Sequence, residues 1–125
     1  MKLNELRDRA YQNAKDKGFH DDSALFGDKI ALMHSELSEA LEEYRNGHAV
    51  DEIYYKEGEW HSYPEGKISG QKTANKPEGI PVELADVIIR ILDFCGKYNI
   101  DIENVINMKM TYNETRPHRH GGKRI

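Results

Sequence analysis

The segment "PVELADVIIRILDFC", residues 81–95, places the strongest constraint on how this chain can fold. Its apolar residues recur on nearly every side of a helix, and a helix with that composition is normally buried. Glu83 and Asp86 nevertheless lie inside it, three residues apart. Because an unpaired buried carboxylate is costly, this helix requires either a cleft that admits a cation or a positive partner. Arg90, one turn further on, is the structural alternative to a metal ion.

A second stretch, "HSELSEALEEYR" at residues 34–45, repeats the spacing. Glu36 and Glu39 lie about 60° apart around a helix, so they share one side of it. Two helices that each bring a carboxylate pair to one cleft offer up to four oxygen ligands, which suits Mg²⁺ or Mn²⁺. The alternative is a solvated helix face, which is common for acidic pairs and is the simpler interpretation of Glu42 and Glu43.

Apolar periodicity and capping signals predict four helices, at residues 3–17, from 22 or 23 to about 46, at 81–98 and at 101–115. Gly18 and Gly47 follow the first two helices, as glycines that end helices do. Asp22 or Ser23 is the expected cap of the second helix, and Asp101 that of the fourth. The chain has 125 residues, enough for one domain. We therefore expect an all-α four-helix bundle in a single domain, residues 1–125.

The long connection between helices 2 and 3, residues 47–79, follows no period. Irregular segments longer than about 15 residues are uncommon and are often functional. This one is predicted to be an insertion or a lid, and its aromatic residues favour partial order. The stretch "EIYYKEGEWHSY", residues 52–63, is compatible with a short hairpin.

Charge is distributed unevenly along the chain. The net charge is -4, yet residues 107–125 carry five basic residues and one acidic residue. Lys109, Asn113 and Arg116 are spaced to share one face of the fourth helix, and lysine and arginine are natural partners of phosphate oxygens. The basic tail, residues 116–125, favours anion binding, whereas a disordered basic arm is the alternative.

Several classes of protein are disfavoured by the sequence. No apolar run approaches the roughly 18 residues of a membrane span, and the N-terminus shows no secretory signal, so we expect a cytoplasmic protein without a membrane partner. The single cysteine, Cys95, is predicted to be a packed thiol. The sequence has no Glu-x-x-His pair for a di-iron bundle, no zinc spacing, no P-loop and no nucleophile elbow. Acidic pairs together with a basic face predict a metal-dependent enzyme acting on phosphate esters or anhydrides, for which a magnesium triphosphate is the fitting substrate.

In order and context, these motifs resemble the MazG-like, all-α nucleoside triphosphate pyrophosphohydrolases. The similarity lies in Glu36-x-x-Glu39, in Glu83-x-x-Asp86 and in the "K-x-x-x-N-x-x-R-P" pattern of residues 109–117. It covers most of the chain outside residues 47–79, and the segment between the acidic motifs is longer here than is usual in that family.

The resemblance implies Mg²⁺-dependent hydrolysis of an NTP or dNTP to the monophosphate and pyrophosphate, for nucleotide-pool house-cleaning. It implies a dimer or tetramer, with Mn²⁺ as a substitute metal. The metal ligands would be Glu36, Glu39, Glu83 and Asp86, with Glu36 or Glu39 also catalytic by orienting or deprotonating the attacking water. The implied substrate-binding residues are Lys109, Asn113, Arg116, Phe19 and Lys123.

Three other functions are also compatible with the sequence. The nearest is a phosphoribosyl-ATP pyrophosphohydrolase, a related helical enzyme with another substrate. A nucleic-acid-binding protein that uses the basic tail is a second, though we regard nucleic acid as the less favoured partner. The third is a non-catalytic helical regulator whose acidic residues are only solvated.

Overall fold

The computed structural model describes residues 2–21, 24–61 and 71–117, and these residues are mostly helical. The helices are α1 (Leu3–Asp16), α2 (Phe26–Arg45), α3 (Ile80–Lys97) and α4 (Ile102–Thr115). Four short strands lie between α2 and α3: β1 (Tyr54–Lys56), β2 (Trp60–His61), β3 (Gln71–Lys72) and β4 (Lys76–Glu78). The four predicted helices are confirmed, and the small strands leave the fold broadly compatible with an all-α bundle. Within the described ranges, no helix is both long and apolar enough to cross a membrane.

Local signals account for most helix ends. The Asp101 carboxylate accepts a hydrogen bond from the Asn104 amide at 3.2 Å and so caps α4 as predicted. The predicted start of α2 is wrong, because Ala24 and Leu25 are not helical and the helix begins at Phe26. There the Asp28 carboxylate accepts a hydrogen bond from the Leu25 amide at 3.0 Å. The expected caps, Asp22 and Ser23, lie outside the described residues.

The chain divides into two compact units, Met1–Ala24 with Ile89–Ile125 and Leu25–Ile88, and α3 contributes to both. In the first unit, Arg7 donates a hydrogen bond from Nη1 to the carbonyl oxygen of Ile100 at 2.8 Å. The Asn4 amide group donates to the Asp101 carboxylate, also at 2.8 Å. Cys95 is a buried free thiol, as predicted, and burial raises its pKa. The hydrogen bonds of Arg7 and Asn4 join α1 to the start of α4.

The strands of the second unit form an antiparallel ribbon. β1 pairs with β4 and β2 pairs with β3, so the predicted local hairpin within residues 52–63 is wrong. Between the two strand pairs, the Thr73 amide donates to the Glu59 carbonyl at 2.9 Å. Gly58 lies so close to the Thr73 carbonyl that a Cβ atom would collide with it. The chain at residues 57–59 therefore continues alongside residues 73–75 instead of turning back on itself.

The ribbon is attached to α2 by aromatic and acidic side chains. The Tyr54 hydroxyl donates to the Glu43 carboxylate, with its oxygens at 2.9 and 2.8 Å. The His48 ring stacks on Tyr54 with 4.5 Å between centroids, and its Nδ1 lies 3.0 Å from Glu52 Oε2. The described part of residues 47–79 is therefore a docked structure that presents side chains to α2.

The expectation that α3 is buried on nearly every side is wrong for the single chain. Its buried members include Glu83, Leu92 and Cys95. Four of its large apolar side chains remain exposed: Leu84, Ile88, Ile89 and Ile91. The physical reason is that too few neighbours cover them, since the described residues include only five buried hydrophobic side chains.

The close approach of α1 to α3 generates a first prediction. A Cβ atom at Gly96 would lie 2.5 Å from Tyr11 Cβ and 3.2 Å from the Arg7 carbonyl oxygen. Gly96→Ala should therefore lower the free energy of unfolding by about 1–3 kcal/mol, the usual cost of overpacking. Urea denaturation followed by circular dichroism measures the change.

Gly27 provides the matched control for that substitution. It lies in α2, and a Cβ atom there would meet no atom within 4 Å. Gly27→Ala should leave stability unchanged or raise it by up to about 1 kcal/mol through helix propensity. Equal effects of the two substitutions would contradict the close packing of α1 on α3.

Candidate metal centre

Among the described residues, the buried side chains that are polar or charged are three glutamates. Glu36, Glu78 and Glu83 are each 6–8% exposed, and all three belong to the unit Leu25–Ile88. They come from three different elements, α2, β4 and α3. Buried like charges repel one another and lose hydration. This unit therefore holds a concentration of negative charge that the fold itself disfavours.

The predicted acidic pairs of α2 and α3 meet in part. Glu36, Glu39 and Glu83 each bring one carboxylate oxygen into a group whose members all lie within 4.8 Å of one another. Glu36 and Glu83 are buried and Glu39 is exposed, so the group is open to solvent on one side. Three oxygens at this separation are the kind of arrangement that a divalent cation can bridge.

Gly79 fixes the start of α3 and so the position of Glu83. It has a φ of +124°, and a Cβ atom there would collide with the Glu52 carbonyl. The Glu83 amide donates to the Gly79 carbonyl at 3.0 Å, in the first turn of α3. A glycine is therefore required where the ribbon ends, because only glycine adopts this conformation readily and leaves room for residue 52.

Glu83 shows the electrostatic cost of this arrangement. Burial, with a hydrogen bond to Glu39 and the charges of Glu39, Asp86 and Glu36, raises the pKa of Glu83 to about 7. Its Oε2 atom is buried and has no hydrogen-bond partner among the described residues. A buried oxygen without a partner is unusual in a native structure. It is the strongest indication that this group of carboxylates takes a cation.

Asp86, the fourth predicted ligand, does not belong to the group of Glu36, Glu39 and Glu83. It is half-buried and lies close enough to raise the pKa of Glu83 through its charge. The spacing of three residues on α3 therefore brings Asp86 into electrostatic range of the centre, while direct ligation by Asp86 stays a prediction.

A second acidic group, Glu43, Glu78 and Glu83, shares Glu83 with the first. Two of its members already have partners within the protein. Glu43 accepts from the Tyr54 hydroxyl, which raises the pKa of Tyr54 to about 12, and Glu78 lies 3.2 Å from the Lys76 ammonium. Protein donors therefore already stabilise the charge of two members of the second group.

The chemistry of the first group fits Mg²⁺ or Mn²⁺. Its three ligands are hard carboxylate oxygens, and no histidine or cysteine accompanies them in the group. Mg²⁺ commonly binds through a few carboxylates and keeps the rest of its shell for water and substrate phosphates. Glu36, Glu39 and Glu83 would hold such an ion.

The remaining predicted site residues lie in the other unit of the chain. Lys109, Asn113 and Arg116 are exposed on or directly after α4. The Lys109 Nζ lies 4.9 Å from the centre of the Tyr112 ring, and the Arg116 guanidinium lies 6.0 Å from it, so the two cations share one face, as their spacing predicted. Phe19 is 63% exposed and therefore not a core residue. Lys123 and most of the basic tail lie outside the described residues.

The interpretation of Glu43 as part of a solvated helix face is wrong, because its side chain is half-buried and accepts a hydrogen bond from Tyr54. Sequence reasoning missed Glu78, Tyr54, Lys56 and Lys76. The motifs "YYK" and "KPE" each place two polar groups at a spacing of two, which sends them to the same face of a strand. That signal was available in the sequence. The pairing of the two strands was not available, since about twenty residues separate them.

Comparisons of the chain with protein-family models, with curated proteins and with solved structures found no match in any of the three. The family named from the sequence motifs therefore stays a prediction.

The raised pKa of Glu83 generates a prediction about stability. Without metal, folded Glu83 keeps a proton between pH 4.5 and about 7, whereas the unfolded chain releases it near 4.5. The free energy of unfolding should therefore fall as pH rises through this window, by about 1–2 kcal/mol after allowance for solvent screening. Urea denaturation in EDTA at pH 5 and pH 8 measures this.

Glu83→Gln should reduce that pH dependence, whereas Glu42→Gln should retain it, because Glu42 is an exposed partner of Arg45 on α2. Adding Mg²⁺ at pH 8 should raise the unfolding midpoint of the wild type more than that of Glu83→Gln. Identical pH profiles for the wild type and Glu83→Gln would rule out the electrostatic account of the site.

Proposed function

We propose that this protein is a Mg²⁺-dependent nucleoside triphosphate pyrophosphohydrolase, which cleaves an NTP or dNTP to the monophosphate and pyrophosphate. The observation that carries the proposal is the group formed by Glu36, Glu39 and Glu83, together with the unpartnered, buried Oε2 of Glu83. A carboxylate centre open to solvent on one side suits a metal that also contacts substrate phosphates. Nucleotide-pool house-cleaning in the cytoplasm is the role that goes with this activity.

The residues of the centre would divide the work by their exposure. Bound Mg²⁺ would supply polarisation of phosphoryl oxygens and a lowered pKa for a coordinated water. Glu36 and Glu83, both buried, would hold the ion in place. Glu39 is exposed, so we assign to its carboxylate, in addition to a share in binding the ion, the orientation of the attacking water and the acceptance of its proton.

Lys109, Asn113 and Arg116 remain the proposed substrate contacts on α4. Their support is the common face on which Lys109 and Arg116 flank Tyr112. The two cations would bind phosphate oxygens, and the Asn113 amide would bind a phosphate oxygen or a sugar hydroxyl. Phe19 is proposed as a contact to the base on the strength of its exposed ring.

Pyrophosphate release from each NTP and dNTP, with and without Mg²⁺, tests the proposed activity. Glu83→Gln should lower kcat/KM by about 100-fold or more, since even indirect partners of metal ligands cost about 10–100-fold. Glu42→Gln, on the exposed side of α2, should retain activity. Circular dichroism should show that both variants are folded.

Hydrolysis without Mg²⁺, or full activity of Glu83→Gln, would contradict the metal centre. Phosphoribosyl-ATP belongs in the same screen, because preferential turnover of that compound would identify the related pyrophosphohydrolase instead. Binding of DNA or RNA with steep salt dependence and no hydrolysis would favour the nucleic-acid-binding alternative.

We also propose that the protein self-associates as a dimer or tetramer. The support is the set of exposed apolar side chains of α3, where Leu84, Ile88 and Ile89 are 44–54% exposed. Exposed apolar side chains grouped on one element often mark an interface, and homo-oligomers usually have closed symmetry.

Light scattering after size exclusion at micromolar concentration should give at least twice the mass of one chain. Ile88→Lys, which introduces a charge among these side chains, should shift the population towards the monomer. Val50→Lys is the control, because Val50 is also exposed but lies in the turn after α2. A monomeric wild type would refute the proposed self-association.

A further inference from the structure

Two lysines lie directly opposite each other on the ribbon. Lys56 of β1 is the register partner of Lys76 of β4, and like charges in that position repel. Both ammonium groups approach one carboxylate oxygen: Glu78 Oε1 lies 3.2 Å from Lys76 Nζ and 3.8 Å from Lys56 Nζ. One carboxylate thus faces two cations.

The lysine pair lies beside the candidate metal centre, within the same unit of the chain. A carboxylate oxygen of Glu78 lies within 4.8 Å of one of Glu83, and Glu83 is a member of the group with Glu36 and Glu39. The pKa of Lys76 is raised chiefly by its hydrogen bond to Glu78, and also by the charges of Glu78, Glu83 and Glu39. Lys76 is therefore a permanent cation close to the carboxylates.

Both ammonium groups are accessible to a ligand. The side chains of Lys56 and Lys76 are 66% and 73% exposed. With Glu57, Glu59 and Glu78 they line part of an open cavity of about 300 Å³ between the strands, and Glu57 is itself paired with Lys72 at 3.2 Å. Neutralising Glu78 takes only one of the two ammonium groups, so the other exposed ammonium group can meet a phosphate oxygen.

We propose that Lys56 and Lys76 form a phosphate-binding pair, which holds phosphate groups of a polyphosphate whose metal ion is bound by Glu36, Glu39 and Glu83. The inference rests on the proposed function only for the class of ligand. The ribbon thereby contributes cations where α2 and α3 contribute carboxylates, so both halves of a metal–polyphosphate complex meet partners in one unit. Ammonium groups act here as point charges on flexible stems, which suits several phosphate positions.

Calorimetric titration with inorganic tripolyphosphate at saturating Mg²⁺ tests the pair without requiring turnover. Lys76→Met should weaken binding about 10-fold, equivalent to about 1.4 kcal/mol. Lys56→Met should also weaken binding, but by less, because Lys56 Nζ lies farther from Glu78, at 3.8 Å instead of 3.2 Å. Lys72→Met is the matched control, because Lys72 lies on neighbouring β3 and pairs with Glu57 at 3.2 Å. Affinity for Mg²⁺ alone should be retained or increased in Lys76→Met, since a competing cation is removed.

A second pair of variants separates phosphate binding from simple neutralisation of Glu78. Lys76→Arg keeps the charge and should restore most of the affinity for tripolyphosphate. The double variant Lys76→Met with Glu78→Gln removes both charges, so residue 78 no longer carries a charge that needs neutralising. If Lys76 only neutralised Glu78, that double variant would bind like the wild type; if Lys76 binds phosphate, the loss persists.

The outcomes distinguish this proposal from the proposed activity. Loss of tripolyphosphate affinity in Lys76→Met but not in Lys72→Met supports the pair, even if no nucleotide is hydrolysed. Equal losses in Lys76→Met and Lys72→Met, wild-type affinity in the variant lacking both Lys56 and Lys76, or no tripolyphosphate binding by the wild type would overturn it. Thermal unfolding of each variant shows whether a loss reflects misfolding. If Lys76→Met is misfolded, the affinity of Lys56→Met compared with that of Lys72→Met decides.

Discussion

The charge of Glu83 in its buried position is the constraint on which the second unit depends. Burial removes hydration from this carboxylate, and the neighbouring Glu39, Asp86 and Glu36 add repulsion, so its pKa rises to about 7. Its Oε2 atom has no hydrogen-bond partner among the described residues. A divalent cation reverses both penalties at once, because it replaces the lost hydration and cancels the repulsion.

The ribbon shows how the same unit treats its other buried or half-buried carboxylates. Glu43 accepts a hydrogen bond from the Tyr54 hydroxyl, and Glu78 is met by two lysines. The Tyr54–Glu43 hydrogen bond joins β1 to α2, and His48, which follows α2, stacks on Tyr54. These partnered carboxylates adjoin Glu83, whose Oε2 has no hydrogen-bond partner among the described residues. That buried oxygen distinguishes the candidate metal centre from an ordinary acidic surface.

Much of the helical framework could be predicted from the sequence, because its signals are local. Asp101 caps α4 with its own side chain, and Gly18 and Gly47 take the positive φ angles that follow α1 and α2. The spacing of three between Glu36 and Glu39 placed both on one side of α2, and both enter the same carboxylate group. The start of α2 was missed because Leu25, which precedes the helix, has no capping side chain, and the local hydrogen bond runs instead from the Leu25 amide to the Asp28 carboxylate inside the helix.

By itself, the sequence determined which residues form helices and which carboxylates could face one side of each, since helix geometry links residues three and four apart. Only the tertiary structure decided that Glu83 meets Glu36 and Glu39, and that Lys56 lies opposite Lys76. The register of the ribbon depends on contacts such as the approach of Gly58 to the Thr73 carbonyl. Pairings across so many residues follow from packing and hydrogen bonding, for which a short stretch of sequence carries no periodic signal.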